Sequence, residues 1–257
     1  MLQQTQVSRV IPLLTAWLER WPTPHALAAD SPAEAVRMWD RLGYPRRALW
    51  LHQAAVELVE RHGGEVPGDV NALLALKGVG PYTARAIAAF AYAMREPVVD
   101  TNTRRVIARA VNGRAAAGMP NERIDLADMS ALLPADEASA QAFNAGIMEL
   151  GAVICTARAP HCSECPIAQS CAWKRAGFPE NAPEKRPRQA RFEGSDRQAR
   201  GAVLAVLRTA TGPVSDVALH REWEDSAQLG RAIASLLSDG LIELTPNGFQ
   251  LAGTTPA

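Results

Sequence analysis

Apolar residues recur at helical spacing along most of this chain, and strand-like alternation is confined to its far end. Val7, Val10, Ile11 and Leu14 open the pattern, so the polypeptide begins in or beside an amphipathic helix with no obvious capping residue ahead of it. Ser31-Pro32-Ala33-Glu34 has the form of an N-cap, a proline at the first helical position and a capping-box glutamate. The helix after it carries Val36 and Trp39 and ends near Gly43. A further helix is predicted from about Arg46 to Arg61, stopped by Gly63-Gly64. The period continues through Leu73, Leu74 and Leu76, resumes after Pro81, and gives two more helical stretches between about Asn121 and Cys155.

The pattern changes beyond Gly201. Val203, Leu204, Val206 and Leu207 form one helical face, and Leu229, Ile233, Leu236 and Leu237 another. Between them, Gly212-Pro213-Val214-Ser215 reads as a turn with a candidate cap. Leu241-Ile242-Glu243-Leu244, the turn Thr245-Pro246-Asn247-Gly248 and Phe249-Gln250-Leu251 then read as a hairpin. Helices followed by a hairpin suggest a winged-helix-like module. Such modules bind DNA or serve as plain protein contacts; with Arg231 as almost the sole basic residue on its second helix, the structural role is favoured. Ahead of the module, Pro183, Lys185, Arg186, Pro187, Arg188, Arg191, Arg197 and Arg200 mark a basic, proline-containing linker, solvated and open to phosphate contact.

Composition sharpens this only in part. Hydrophobic residues make up 47% of 257 residues, enough for a sizeable core. Lys+Arg and Asp+Glu are equal at 27 each, so net charge gives no argument for nucleic acid and local charge has to. No apolar run is long enough to span a bilayer and no leader pattern is seen, so no membrane partner is expected.

The cysteines carry the strongest chemistry. Cys155, Cys162, Cys165 and Cys171 are the only ones, spaced C-x6-C-x2-C-x5-C. Four thiolates in one short run can hold a [4Fe–4S] cube or a tetrahedral zinc ion, and two disulfides are a third option. The single C-x2-C pair and the long outer gaps favour the cube. The clustered thiols suit a reducing, cytoplasmic setting.

Two further places stand out. Leu76-Lys77-Gly78-Val79-Gly80-Pro81-Tyr82-Thr83 is a glycine–apolar–glycine turn between helices, which lets backbone N–H groups at a helix start meet an anion such as a DNA phosphate. Its plain alternative is a tight helix–helix turn. Downstream, Asp100 follows the apolar Pro97-Val98-Val99 and precedes a helix. It is a natural N-cap, and beside a phosphate-binding hairpin it also suits stabilisation of a cationic sugar.

Together these residues resemble the helix-hairpin-helix DNA glycosylases that carry an iron–sulfur cluster. Met1-Leu2-Gln3-Gln4-Thr5-Gln6-Val7, Leu42-Gly43-Tyr44, Gly78-Val79-Gly80-Pro81-Tyr82-Thr83 and Leu150-Gly151-Ala152-Val153-Ile154-Cys155 resemble the A/G-specific adenine glycosylases, the MutY family, over about residues 1–175. The resemblance implies a mainly α fold. A six-helix barrel with the helix-hairpin-helix would span 1–103 and a cluster domain 104–178. A linker at 179–200 and the winged-helix-like module at 201–257 would follow.

It also implies a [4Fe–4S] cluster on the four cysteines, and a monomer acting on duplex DNA with adenine opposite 8-oxoguanine or guanine. The adenine would be flipped out and its N-glycosidic bond hydrolysed. Asp100 would stabilise the transition state, Asn102 would arrange the site, and Tyr82 would stand where related lyases, similar to endonuclease III, carry a Schiff-base lysine. Lys77, Gly78, Val79, Gly80 and Thr83 would hold DNA, with Gln3, Gln4 and Tyr44 probing or wedging the duplex; a packed core aromatic is the alternative for Tyr44. The family's general-acid glutamate would fall two residues ahead of Met1. The chain as printed is therefore read as truncated at its N-terminus, slow in adenine release and left with an exposed apolar face. Ala145 stands where relatives often have a polar residue near the adenine, and no NUDIX-type box occurs in the C-terminal module. The competing readings are an endonuclease III-like lyase and a non-catalytic, cluster-bearing DNA-binding protein.

Overall fold

The computed structural model describes residues 1–2, 5–180 and 191–254; Gln3, Gln4 and the linker positions Pro183, Lys185, Arg186, Pro187 and Arg188 lie outside the described residues. In chain order the helices are α1 (Val7–Arg20), α2 (Pro24–Ala29), α3 (Pro32–Trp39), α4 (Arg46–His62), α5 (Val70–Leu74), α6 (Pro81–Ala91), α7 (Thr101–Ala110), α8 (Glu122–Leu132), α9 (Glu137–Glu149), α10 (Ala172–Arg175), α11 (Asp196–Thr209), α12 (Asp216–Glu222) and α13 (Ser226–Ser238). A π-helical turn, Leu150–Ile154, follows α9, and strands β1 (Ile242–Thr245) and β2 (Gly248–Leu251) close the chain. The mainly α expectation holds. Among the described residues no helix is long and apolar enough to cross a membrane. Contacts divide the chain into two compact units. One is Met1–Val66, Leu76–Gly78 and Arg188–Ala257; the other is Pro67–Ala75 and Val79–Pro187.

In the first unit α1 is two-faced. Val10 and Trp17 are buried one above the other, and Trp17 meets Trp21 and Trp39 edge to face at 4.6 and 6.0 Å. Val7, Ile11, Leu14 and Leu18, on another stripe of the helix, remain 37–59% exposed. The exposed apolar face expected from the sequence is therefore on α1. The capping box at α3 is half built. Ser31 Oγ accepts the Glu34 N–H, but Asp30 takes the Ser31 N–H at 2.7 Å while Glu34 pairs with Arg20 and Arg37 at 2.7 and 2.9 Å. A charged partner in reach outcompetes the local return bond. α2 escaped the sequence reading because six residues are too few to show a period.

The C-terminal module shares one core with the N-terminal helices: Val10, Trp17, Val36 and Trp39 belong to the same buried cluster as Leu204, Leu207 and Leu236. Leu207, Leu219, Leu229, Leu236 and Leu251 are each at most 1% exposed. Full burial of such a side chain stabilises by about 1.5–3 kcal/mol. Two arginines lock the junction of α3 and α11 reciprocally. Arg37 donates to the Leu207, Arg208 and Ala210 carbonyls at the end of α11, and Arg208 donates to the Val36 carbonyl. The hairpin pairs Ile242 with Leu251 and Thr245 with Gly248, and Val214 bridges to Phe249 as a third, minimal strand. With α12 added to the two foreseen helices, the module consists of three helices followed by the hairpin.

In the second unit Val106 and Ile107 of α7, Met129 of α8, and Ala140 and Ile147 of α9 form the core. Fully buried Asn144 staples the extended segment that leads to Asp100. Its Oδ1 accepts the Val98 N–H at 2.9 Å, and its Nδ2 donates to the Glu96 and Ala140 carbonyls at 3.0 Å.

Candidate functional site

The glycine-rich turn joins α5 to α6. Gly78 has φ +79°, and a Cβ there would lie 2.7 Å from Trp50 Cβ, so both conformation and space require glycine. The Lys77 N–H donates to Glu57 at 2.8 Å, and Gln53 donates to the other oxygen of that carboxylate at 3.4 Å. Trp50 and Glu57 stand two turns apart on α4, which thus underlies Lys77 and Gly78. Gly80 is the N-cap of α6 and Pro81 its first residue, with no side chain capping the helix. By contrast Asp100, Asn121 and Asp136 cap α7, α8 and α9. An uncapped first turn at the positive end of the helix dipole is suited to an anion.

Asp100 is the N-cap the sequence suggested, with a second engagement. Oδ1 accepts the Thr103 N–H at 2.7 Å and Oδ2 accepts from Asn102 Nδ2 at 3.0 Å. Asn102 Oδ1 in turn accepts from Arg105 at 2.7 Å, and Arg105 reaches the Cys155 carbonyl at 2.6 Å and the Gly151 carbonyl at 2.5 Å. Burial pushes the Arg105 guanidinium down from its ordinary range, against the pull of Cys155 and Asp100. Gly151 lies on the π-helical turn. A Cβ there would sit 2.7 Å from Asn102 Cβ, so the turn can press on Asn102 only as glycine. Burial and then the Asp100 charge raise the Tyr82 phenol, which keeps it neutral and puts it in the electrostatic reach of Asp100.

Cys155, Cys162, Cys165 and Cys171 line one cavity together with Val106, Ile154 and Ile167. Burial, and then the neighbouring Cys155, Cys165 and Cys171, raise the Cys162 thiol. Among the described residues no three metal-ligating side chains converge closely enough for one ion. All four cysteines line the cavity, and a four-iron cube takes one thiolate on each iron. Buried Arg109 fastens this loop. It donates to the Thr156 and Ala157 carbonyls at 2.7 and 3.1 Å, lies 3.3 Å from Cys155 Sγ, and stacks 4.7 Å from the Trp173 ring centre.

Tyr44 is 54% exposed with φ +48°, and Arg47 stacks on its ring at 4.8 Å, so it is not a core aromatic. Lys77 and Tyr82 are exposed, and Val79, Gly80 and Thr83 are half-buried. Gln3 and Gln4 cannot be placed, being outside the described residues. The structure adds Glu57, Arg105, Arg109 and Asn144, which the sequence reading missed. The available signal was charge in an apolar setting: Arg105 and Arg109, one turn apart, flank the buried Val106-Ile107-Ala108.

Residues 1–122 match the model of the HhH-GPD superfamily of base excision DNA repair proteins, and residues 155–171 match the iron-sulfur binding domain of endonuclease III. The adenine DNA glycosylase of Mycolicibacterium smegmatis is 52% identical across 98% of this chain and 85% of its own length. That of Mycobacterium tuberculosis is 51% identical across 98% and 83%. The human adenine DNA glycosylase is 40% identical over 66% of this chain and 31% of itself. Among solved structures, a thermostable thymine-DNA glycosylase superposes with TM-score 0.62 at 26% identity, over 68% of this chain and 80% of that one. An endonuclease III–DNA complex gives 0.59 at 23%, a likeness of fold.

Proposed function

The chain belongs to the adenine DNA glycosylases of the HhH-GPD superfamily, and from that premise we propose that it excises adenine opposite 8-oxoguanine or guanine, with Asp100 as the group facing the reacting sugar. That it is a DNA N-glycosylase of base excision repair, binds DNA and carries a [4Fe–4S] cluster follows from its relatives and family matches. The observation that carries the proposal is the polar chain Asp100–Asn102–Arg105 ending on the Gly151 and Cys155 carbonyls.

Hydrolysis breaks the bond between adenine and C1′ and leaves positive charge on the sugar. A fixed carboxylate lowers the energy of that charge most when it needs no reorganisation. Asn102 holds Asp100 Oδ2 and Arg105 holds Asn102, so the carboxylate is oriented before DNA arrives. Water then adds to C1′. The departing adenine needs a proton, and a general acid that supplies one contributes about 10²–10⁴-fold. Tyr82 offers a phenol and no amine, so no Schiff base and no strand cleavage through it are expected. The uncapped start of α6 grips a phosphate beside the flipped nucleotide. The cluster, when bound by Cys155, Cys162, Cys165 and Cys171, supplies the iron–thiolate bonds that tie this loop. A reducing cytoplasm suits those thiols.

The test is single-turnover adenine release from duplexes with adenine opposite 8-oxoguanine, guanine or thymine. Release is expected from the first two duplexes and not from the third. Equal release from the thymine duplex rejects the mispair reading. A borohydride-trapped DNA adduct instead supports the lyase.

A further inference from the structure

We propose that the C-terminal module braces the DNA-gripping hairpin, with Asp239 as the positioning residue acting through Arg46 and Trp50; this rests on the reading that the hairpin holds phosphate. Asp239 is the C-cap of α13. Arg200 pins its Oδ2 at 2.6 Å and also bonds Ser235. The other oxygen meets Arg46 at 3.2 Å, on the first turn of α4. The Arg46 guanidinium lies 5.1 Å from the centre of the Trp50 ring. Trp50 is the side chain on which Gly78 rests, so closely that a Cβ at Gly78 would approach it to 2.7 Å. A continuous line of contacts therefore runs from the module to the left-handed residue of the hairpin.

The module's own charges argue against a direct DNA role. From Asp196 to Gly253 it has seven Asp and Glu against five Arg. Arg200 is paired with Asp239, Arg208 with the Val36 carbonyl and, at the surface, Arg231 with Asp196 at 3.1 Å. A surface of that balance does not attract phosphate. The Asp239–Arg46 pair is also unsuited to holding the fold, because Arg46 is half exposed and such pairs add little stability. What the pair does fix is the position of a cation over Trp50 and, through the indole, the seat of Gly78.

The cluster-loaded protein is titrated with an unmodified duplex at several salt concentrations. Asp239→Asn is expected to weaken binding by about 3- to 10-fold. The salt slope stays the same because no phosphate contact is lost. Asp239→Glu restores binding, and Asp196→Asn in the same module leaves it unchanged. Arg46→Gln, which keeps Asp239 paired with Arg200, gives the same loss at the same slope. Unchanged binding in Asp239→Asn overturns the proposal. So does tighter binding with a steeper slope, which marks Arg46 as a phosphate ligand that Asp239 had withheld. Gly80→Asp tests the hairpin separately: nothing lies within 4 Å of a Cβ there and aspartate is a good N-cap, so the fold is kept while a negative charge enters the anion site. If Gly80→Asp leaves binding intact, the hairpin reading fails; if it abolishes binding while Asp239→Asn does nothing, the brace alone fails.

Discussion

The two units are held together by different physics. The first is stapled by large apolar side chains, with Trp17, Trp39, Leu207 and Leu236 in one buried cluster, and by arginines that cap helix ends. The second has a smaller core, and its business end is a run of directional polar bonds from Asp100 to Cys155 beside four thiols that need a cluster. Burial tolerates small shifts because it has no direction; a carboxylate proposed to face a sugar needs bonds that do. The scaffold is therefore expected to survive losses that empty the site, and the site to fail from changes that leave the scaffold unmoved.

The largest separation comes from the cluster. Cys162→Ser, or chelation of iron, is expected to abolish base release and to expose α7 and the π-helical turn to hydrogen exchange, while α3, α11 and α13 keep their protection. Loss of protection in both units together breaks the comparison. Leu236→Ala probes the opposite case: about 2–5 kcal/mol of stability is expected to go, read as a lower Tm, with base release per folded molecule unchanged. Asp100→Asn sharpens the site: asparagine still caps α7, so the Tm holds while single-turnover release falls about 10²–10³-fold.

Asn144→Ala sits between the two. It strands the Val98 N–H and the Glu96 carbonyl, costing about 1–3 kcal/mol, and lets the segment ahead of Asp100 drift, so both Tm and release fall. The smallest effect is expected at Asp30. Burial raises its pKa, but the Ser31 N–H, the Trp21 indole and Arg20 overcome this and hold it below the ordinary value of 3.8. A depressed folded pKa gives stability that is present above the unfolded value and lost as pH falls through the folded one. Asp30→Asn is thus expected to lower the Tm slightly at neutral pH, by an amount that vanishes on acidification; a constant difference down to acid pH refutes the assignment.

What the sequence determined by itself was local. Four cysteines in one run, a glycine–apolar–glycine turn, an aspartate before a helix and the stop at Gly63 are each fixed by neighbours a few residues away, because φ/ψ limits and helix periodicity act over that range. Tertiary structure decided who meets whom. That Arg37 would cap α11, that the C-terminal module would share a core with α1 and α3, that Asn144 would hold the approach to Asp100, and that Arg105 would join Asn102 to the cysteine loop are choices made across 46 residues of chain or more. Partners at that separation are selected by packing and by the need to satisfy every buried polar group, and no pattern of neighbouring residues encodes either.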